Sequence, residues 1–237
     1  MPDQNWDELA HRPGLAAVLD PADSAGSKNV LIDRVQKRAL ARTLSLVQGL
    51  RILDFGCGTG RIAHWLVAMG AVVEGVDTSA EMLHIARREA PGVRVTLVKN
   101  KTLPFEDGTF DVVLSVGVLA SYAPHASRLE GLLQELSRVT AIGGRFVAIE
   151  HVRDHGLPRG ASLSEYSNLL RASHFREIAA QPLRLGSSVF IRLAHHVSLL
   201  ANAPLIPTLM EWEARVRCRR PLVGGTYADY LFCATRL

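Results

Sequence analysis

The chain has 237 residues, of which 48% are hydrophobic and 21% are charged. This length is typical of one globular domain with additions, and the absence of repeats and low-complexity runs excludes fibrous and disordered classes. There is no run of about 18 uncharged apolar residues, and the acidic N-terminus lacks the order of a signal peptide, so we expect no membrane span. Cys57, Cys218 and Cys233 lack metal-site spacing, and we expect a reducing, cytoplasmic location.

The net charge of +4 is unevenly distributed. Residues 184–237 contain seven arginines and three acids, with Arg215, Arg217, Arg219 and Arg220 close together. This cluster is either an ordinary solvated helix face or a surface that attracts the phosphate of a lipid headgroup, a nucleotide sugar or a nucleic acid.

The predicted elements alternate along the chain. Apolar residues at helical spacing, preceded at Thr78 and Ser162 by capping boxes, predict helices over 30–48, 62–69, 78–89, 129–139 and 162–173. Apolar runs bounded by turn residues predict strands over 51–55, 72–76, 93–98, 110–116, 145–150, 175–182 and 227–235. This order predicts an α/β fold, a Rossmann-like, mostly parallel sheet with helices on both faces and ligands above the carboxyl ends of the strands.

A glycine-rich turn follows the first predicted strand. Asp54 ends the strand, and Gly56, Gly58 and Gly60 allow a sharp turn that brings the backbone close to a ligand. A dinucleotide fingerprint would place its third glycine at position 61, which is arginine here. The pattern resembles motif I of the class I S-adenosylmethionine-dependent methyltransferases.

Two further segments strengthen this resemblance. Residues 103–111 and 135–144 are similar to conserved blocks of small-molecule methyltransferases of the ubiquinone-biosynthesis-like group, so the match covers residues 51–150. The resemblance implies a seven-stranded sheet whose last strand inserts antiparallel between the fifth and sixth. It also implies S-adenosylmethionine as cofactor and S-adenosylhomocysteine as product.

We expect a single domain with four parts: an N-terminal helical cover (1–49), a cofactor-binding core (50–182), an insertion or lid (183–222) and the final strand (223–237). Within the cover, residues 26–33 either meet the carboxylate of the cofactor or cap a helix.

The cofactor site is expected where the first strands end. Asp77 lies at the end of the second strand, where a carboxylate can accept both ribose hydroxyls or interact with a helix dipole. Asn100 replaces a customary acid, and its amide carbonyl can still accept from adenine. The expected cofactor-binding residues are Asp54, Gly56, Cys57, Gly58, Gly60, Asp77, Thr78, Asn100, Lys101 and Val116. We interpret Cys57 as a small filler rather than a nucleophile.

A hydroxyl acceptor requires a base, and histidine is suited to that task. His151 follows the fifth strand and is the first candidate, while His125 follows the fourth; either could instead pack at the rim. We predict no metal, because the acid that binds metal in catechol-type enzymes is absent after the fourth strand. Nucleic acid is disfavoured as a partner, because Ser115–Val118 replaces the Asn/Asp-Pro-Pro-aromatic run of base methylases.

The C-terminal quarter leaves the acceptor open. Residues 189–210 are rich in apolar side chains that must cover the sheet, a substrate, a second subunit or, through 189–221, a bilayer surface. Segments near residues 6, 26 and 227 also resemble methyltransferases of polysaccharide clusters, which implies O-methylation of a sugar hydroxyl on a glycan. The alternatives are methylation of a natural-product oxygen or nitrogen, and a cofactor-binding module without chemistry.

Overall fold

The computed structural model describes residues 5–23, 25–99, 102–123, 125–153, 161–196, 202–218 and 227–237. Its centre is one sheet of seven strands: β1 (Arg51–Phe55), β2 (Val72–Asp77), β3 (Arg94–Leu97), β4 (Phe110–Val116), β5 (Thr140–Arg153), β6 (Phe175–Leu185) and β7 (Tyr227–Arg236).

Along the chain, helices precede β1 and connect most of the strands. The described α-helices are α1 (Trp6–Ala10), α2 (Ser27–Leu44), α3 (Arg61–Ala68), α4 (Ala80–Glu89), α5 (Ala126–Val139), α6 (Leu163–Ala172), α7 (Val189–His196) and α8 (Ile206–Arg217). Short 3-10 helices span Gly14–Ala17 and Leu119–Ser121. Within the described residues, no helix is both long enough and apolar enough to cross a bilayer.

The strand order is β3-β2-β1-β4-β5-β7-β6. Neighbouring strands from β3 to β5 are parallel, whereas β7 runs antiparallel to both β5 and β6. The sequence-based prediction of fold class is therefore confirmed, including the position of the last strand. Successive strands are added toward one edge of the sheet from β1 to β3 and toward the other edge from β4 to β6. At such a switch point, between β1 and β4, a crevice for ligands is expected above the carboxyl ends of the two strands.

The core has one apolar layer on each face of the sheet. Ile52 and Leu114 lie in one layer with α2 and α3, while Leu53 and Val113 lie in the other with α5 and α6. All four side chains are fully or almost fully buried, as expected of central strands covered on both faces.

Some predicted boundaries differ from the observed ones, and three of these differences bear on the site or on the C-terminal segment. Ser79 rather than Thr78 caps α4, because Ser79 Oγ accepts from the Met82 N–H at 3.1 Å. A second N–H of the same first turn, that of Glu81, donates to Asp7 of α1 at 3.3 Å. β5 begins at Thr140, five residues before its predicted start, since it continues directly from α5. β6 extends to residue 185, so the first residues of the predicted insertion belong to the sheet.

The C-terminal segment packs against the rest of the fold. Of the surfaces that its apolar residues could cover, the sheet is one that the structure shows, because α8 packs against edge strand β6 and α2, and α7 packs against α2. Met210 and Ala214 of α8 are completely buried, and Ile191 of α7 joins the layer around α2. One side of the segment therefore completes the fold. Of the arginine cluster, residues 219 and 220 lie outside the described residues.

Candidate functional site

The glycine turn closes over the carboxyl end of β1. Gly56, Gly58 and Gly60 have φ values of 73°, 54° and 79°, a region that L side chains rarely adopt. A Cβ on Gly56 would lie 2.3 Å from Val118 Cγ2, and one on Gly58 would lie 2.9 Å from Val18 Cγ1. The turn therefore requires glycine both for its backbone conformation and for close packing.

Asp77 lies at the end of β2 beside this turn. Its Oδ2 accepts from the Gly58 N–H at 2.8 Å, and its Oδ1 accepts from the Ser79 N–H at 3.0 Å. Burial raises the pKa of Asp77, although these backbone donors oppose the shift. The carboxylate thus holds the turn, and each of its oxygens retains a lone pair for a ligand hydroxyl.

Asp54 lies beneath the same turn and is 3% exposed. Within the described residues its Oδ2 is buried and accepts no hydrogen bond. Burial raises the pKa of Asp54 to about 7, although the nearby Arg61 cation acts in the opposite direction. An unpartnered buried carboxylate oxygen is costly, so it marks a position where a cationic or hydrogen-bonding ligand group would be stabilised.

Cys57 packs against Gly75 of β2. Its Sγ lies where a Cβ on Gly75 would approach within 2.8 Å, and the residue is 6% exposed. Burial strongly raises the pKa of the Cys57 thiol, so a reactive thiolate is disfavoured.

The N-terminal segment covers this end of the sheet. Val18 packs over Gly58, and Asp7 accepts from the Ser79 hydroxyl at 2.5 Å. At the start of α2, the Asn29 N–H donates to Asp23 Oδ2 at 2.8 Å. Asp23, which precedes residues 26–33, thus caps the first turn of α2. Contact of residues 26–33 with a cofactor stays a prediction.

Arg61 connects α3 to α2. Its guanidinium donates to Asp33 Oδ1 at 2.7 Å and to Gln36 Oε1 at 2.6 Å. The residue that breaks the dinucleotide pattern thus binds the helical cover to the glycine turn.

Glu150 organises the loop that follows β4. Its Oε1 accepts from the N–H groups of Val118 and Leu119 at 3.0 and 2.9 Å, and its Oε2 accepts from that of Ala120 at 3.1 Å. Burial raises the pKa of Glu150 to about 7, against the effect of these donors. Because Val118 packs on Gly56, Glu150 links the end of β5 to the glycine turn.

His151 is the first member of a charged row across three strands. In register, His151 of β5 faces Asp229 of β7, and Asp229 faces Arg184 of β6. His151 Nδ1 lies 2.5 Å from Asp229 Oδ1. Arg184 Nε contacts Asp229 Oδ2 at 2.5 Å as an ion pair, without the alignment of a hydrogen bond. An irregularity in the pairing between Pro182 and Arg184 directs the arginine toward this carboxylate.

The row fixes the protonation of its members. Burial alone would raise the pKa of Asp229, but Arg184 and His151 outweigh it and lower that pKa below its usual value. An ionised carboxylate only accepts hydrogen bonds, so His151 Nδ1 carries the proton and Nε2 is the basic nitrogen. The Tyr227 ring packs edge-on against the imidazole with centroids 4.6 Å apart. The side chain of His151 stays 39% exposed, which leaves it accessible to an acceptor.

The remaining predicted residues differ in burial, and two of them lie outside the described residues. Val116 is half-buried at the end of β4, and Thr78 is exposed beside Asp77. Asn100 and Lys101 lie outside the described residues, so their predicted contacts stay predictions. His125 is exposed at the start of α5 and its side chain does not cap that helix. No contact links it to a carboxylate in the described part of the chain, unlike His151.

Asp229, Arg184 and Glu150 were not among the predicted site residues. The available signal was that Asp229 is the one acidic residue of β7 and Glu150 the one acidic residue of β5. Within the described residues, no group of three or more His, Cys, Asp or Glu side chains is arranged to hold a metal ion.

The fold and the site define a class I methyltransferase. A methyltransferase domain model matches residues 53–148. A demethylmenaquinone methyltransferase of Streptomyces griseus is 31% identical over 205 residues, which cover 86% of this chain and 84% of the relative. An O-methyltransferase of Penicillium expansum, cnsE, is 30% identical over 65% of this chain and 62% of the relative. The chain therefore belongs to the S-adenosylmethionine-dependent class I methyltransferases, in the ubiquinone- and menaquinone-related group.

Solved structures agree on the fold. A geranyl diphosphate C-methyltransferase of Streptomyces coelicolor has a TM-score of 0.59 at 18% identity, with full coverage of both chains. The [4+2]-cyclase SpnF has a TM-score of 0.63 at 24% identity, covering 86% of this chain and 81% of that one. Another relative is matched over a shorter stretch. A demethylmenaquinone methyltransferase of Tropheryma whipplei (strain Twist) is 35% identical, and the match spans 49% of the length of that relative.

Proposed function

We propose that the chain transfers a methyl group from S-adenosylmethionine to a small aromatic molecule that carries a hydroxyl, with His151 as general base. The observation that carries this proposal is the imidazole of His151, held by Asp229 at the carboxyl end of β5. That edge of the sheet is where ligands bind in this fold.

The cofactor fits the residues of the glycine turn. The backbone of the turn is free of side chains at Gly56, Gly58 and Gly60. Asp77 offers lone pairs for ribose hydroxyls, and Asp54 Oδ2 is buried without a partner among the described residues. We assign these residues to cofactor binding. When bound, S-adenosylmethionine would supply an electrophilic methyl carbon on its sulfonium sulfur, with S-adenosylhomocysteine as the leaving group.

The protein then has to position the acceptor and accept its proton. Asp229 holds the Nδ1–H of His151, so Nε2 is the nitrogen that takes the proton of the acceptor hydroxyl as its oxygen becomes the nucleophile. The proton remains on the imidazole, whose charge Asp229 stabilises, until solvent removes it. A positioned base of this kind contributes typically about 10²–10⁴-fold to the rate.

The acidity of the acceptor favours an aromatic hydroxyl. Full proton transfer to an ordinary imidazole costs about 5 kcal/mol from a phenol of pKa about 10, and about 12 kcal/mol from a water-like alcohol of pKa about 15.7. An imidazole base is thus better matched to a phenol or hydroquinone than to a less acidic sugar hydroxyl. The names of the relatives, a demethylmenaquinone methyltransferase and an O-methyltransferase, support the same class of acceptor.

Two other functions follow from the sequence analysis. O-methylation of a sugar hydroxyl on a glycan remains a candidate through the resemblance to polysaccharide-cluster enzymes, although a sugar hydroxyl is less acidic than a phenol. A function without methyl transfer has a precedent in the fold, since SpnF is a cyclase. The His151–Asp229 pair favours proton transfer over a purely binding role.

The test is a panel of acceptors with methyl-labelled S-adenosylmethionine, followed by mass spectrometry of the products. We expect labelled products from hydroquinones or phenols, and none from nucleotide sugars or oligosaccharides. His151→Gln should reduce turnover by about 10²–10⁴-fold and leave cofactor affinity unchanged. His125→Gln, a matched change at the other candidate histidine, should have little effect.

Labelled sugars without labelled phenols would assign the glycan function instead. Tight cofactor binding without any labelled product from this panel or from a cell extract would support the binding module.

A further inference from the structure

Helix α8 and the residue before it present an exposed apolar stripe. Leu205, Leu209, Trp212 and Val216 are 70%, 40%, 63% and 45% exposed, respectively. Their spacing of four, three and four residues places them on one face of a helix. We call these four residues the α8 stripe.

The buried side of α8 is unusually polar. Met210 and Ala214 are packed there together with Glu211 and Glu213, which are 4% and 8% exposed. Glu211 forms an ion pair with Arg42 at 2.6 Å, and Glu213 accepts from the Ser188 hydroxyl at 2.6 Å. A surface helix normally turns its apolar residues inward and its carboxylates outward. The stripe is thus apolar surface that no element among the described residues covers.

Basic residues border the stripe. At the N-terminal end of α8, Arg34, Lys37 and Arg38 of α2 line a groove of about 340 Å³ together with Pro204 and Pro207. Within α8, Arg215 is exposed beside Val216 and Trp212. The combination of a tryptophan, aliphatic side chains and flanking cations is typical of helices that lie in a membrane interface.

We propose that the α8 stripe and the basic residues beside it bind the surface of an anionic lipid bilayer. The apolar side chains would enter the boundary between headgroups and acyl chains, while the guanidinium and ammonium groups contact lipid phosphates. Charge complementarity selects this partner over a second copy of the chain, since two copies would bring the same cations together. The proposal does not depend on the identity of the methyl acceptor.

The test measures binding of the full chain to vesicles of phosphatidylcholine alone and of phosphatidylcholine with phosphatidylglycerol. We expect sedimentation with the anionic vesicles only, weakened by salt because the attraction is screened. In a Trp6→Phe, Trp65→Phe background, the emission of Trp212 should shift to the blue with anionic vesicles, reporting entry of this side chain into an apolar environment.

Paired variants separate the contributions of the stripe and the cations. Leu209→Ser with Trp212→Ser should weaken binding by at least about tenfold, because binding follows the buried apolar area. Ile142→Ser, which changes an 80% exposed apolar residue near the start of β5, should have no effect. Arg34→Gln and Arg215→Gln should each weaken binding about fivefold, whereas Arg88→Gln on α4 should not.

Circular dichroism and melting temperature provide the check that each variant is folded. Equal binding of wild-type protein and stripe variant to anionic vesicles would overturn the proposal, as would absence of binding. So would a concentration-dependent dimer in light scattering that the stripe variant abolishes, because the stripe would then be an interface between copies. Methyl transfer to a water-soluble acceptor should be unchanged in the stripe variant, which distinguishes this proposal from the assignment of the reaction.

Discussion

Two variants of the His151–Asp229–Arg184 row, His151→Gln and Asp229→Asn, should reduce turnover equally. They should differ in their effect on the free energy of unfolding. His151→Gln leaves the ion pair between Arg184 and Asp229 intact, at 2.5 Å. Asp229→Asn leaves the Arg184 cation, with a side chain that is 5% exposed, without its counter-charge. The comparison therefore separates chemistry from folding.

The magnitudes follow from burial. Removal of one partner from a buried ion pair costs about 3–5 kcal/mol, which corresponds to about 6–20 °C in melting temperature for a chain of this size. The His151 side chain is 39% exposed, so its replacement by glutamine should cost at most about 1 kcal/mol. Both variants should lose about 10²–10⁴-fold in turnover, because Asp229→Asn removes the group that fixes the imidazole tautomer.

The assays are thermal unfolding and initial rates with labelled S-adenosylmethionine at saturating acceptor. A double variant, Arg184→Gln with Asp229→Asn, should regain part of the lost stability, since no buried cation is left unpaired, and none of the turnover. If Asp229→Asn alone does not fold, the double variant still shows whether turnover depends on the Asp229 carboxylate. Wild-type turnover in the double variant would refute a positioning role for Asp229, and wild-type turnover in His151→Gln would refute the base.

Three further changes test the cofactor end of the site. Asp77→Ala should weaken S-adenosylhomocysteine binding in calorimetry by about 1.5–3 kcal/mol, and an unchanged Kd would mean that the ribose is held elsewhere. Burial raises the pKa of Asp54 to about 7, so the folded chain holds a proton that the unfolded chain releases near pH 4. The free energy of unfolding should thus fall as the pH rises from about 4 to about 7, and Asp54→Asn should reduce this slope in denaturant titrations; an identical slope would contradict the shift. Gly56→Ala should abolish cofactor binding, because its Cβ would lie 2.3 Å from Val118, and wild-type affinity would show that the turn adapts.

Much of the fold could be predicted because its signals are local. The glycine turn, the end of β2 at Asp77 and the capping box at Ser162 each lie within a few residues of sequence, and the structure shows the box with both of its hydrogen bonds. The antiparallel position of β7 came from the family resemblance rather than from periodicity.

What the sequence analysis missed depends on distant pairings. His151 and Asp229 are 78 residues apart and meet only through the register of β5 and β7. Ser79 and Asp7 are 72 residues apart, so the cap of α4 involves a helix that local patterns could not connect to it. The segment after β6 was assigned as a separate insertion because nothing local shows that α8 covers the edge of the sheet.

The most direct test of the central claim is chemical rescue of His151→Ala by free imidazole, measured as transfer of a labelled methyl group from S-adenosylmethionine to a phenol or hydroquinone acceptor. We predict that the variant binds the cofactor as wild type does, is nearly inactive alone, and regains turnover as imidazole is added, because the small base occupies the space of the missing side chain. His125→Ala should be active without imidazole and indifferent to it. Full activity of His151→Ala in the absence of imidazole, or loss of activity confined to His125→Ala, would contradict the assignment of His151 as the base.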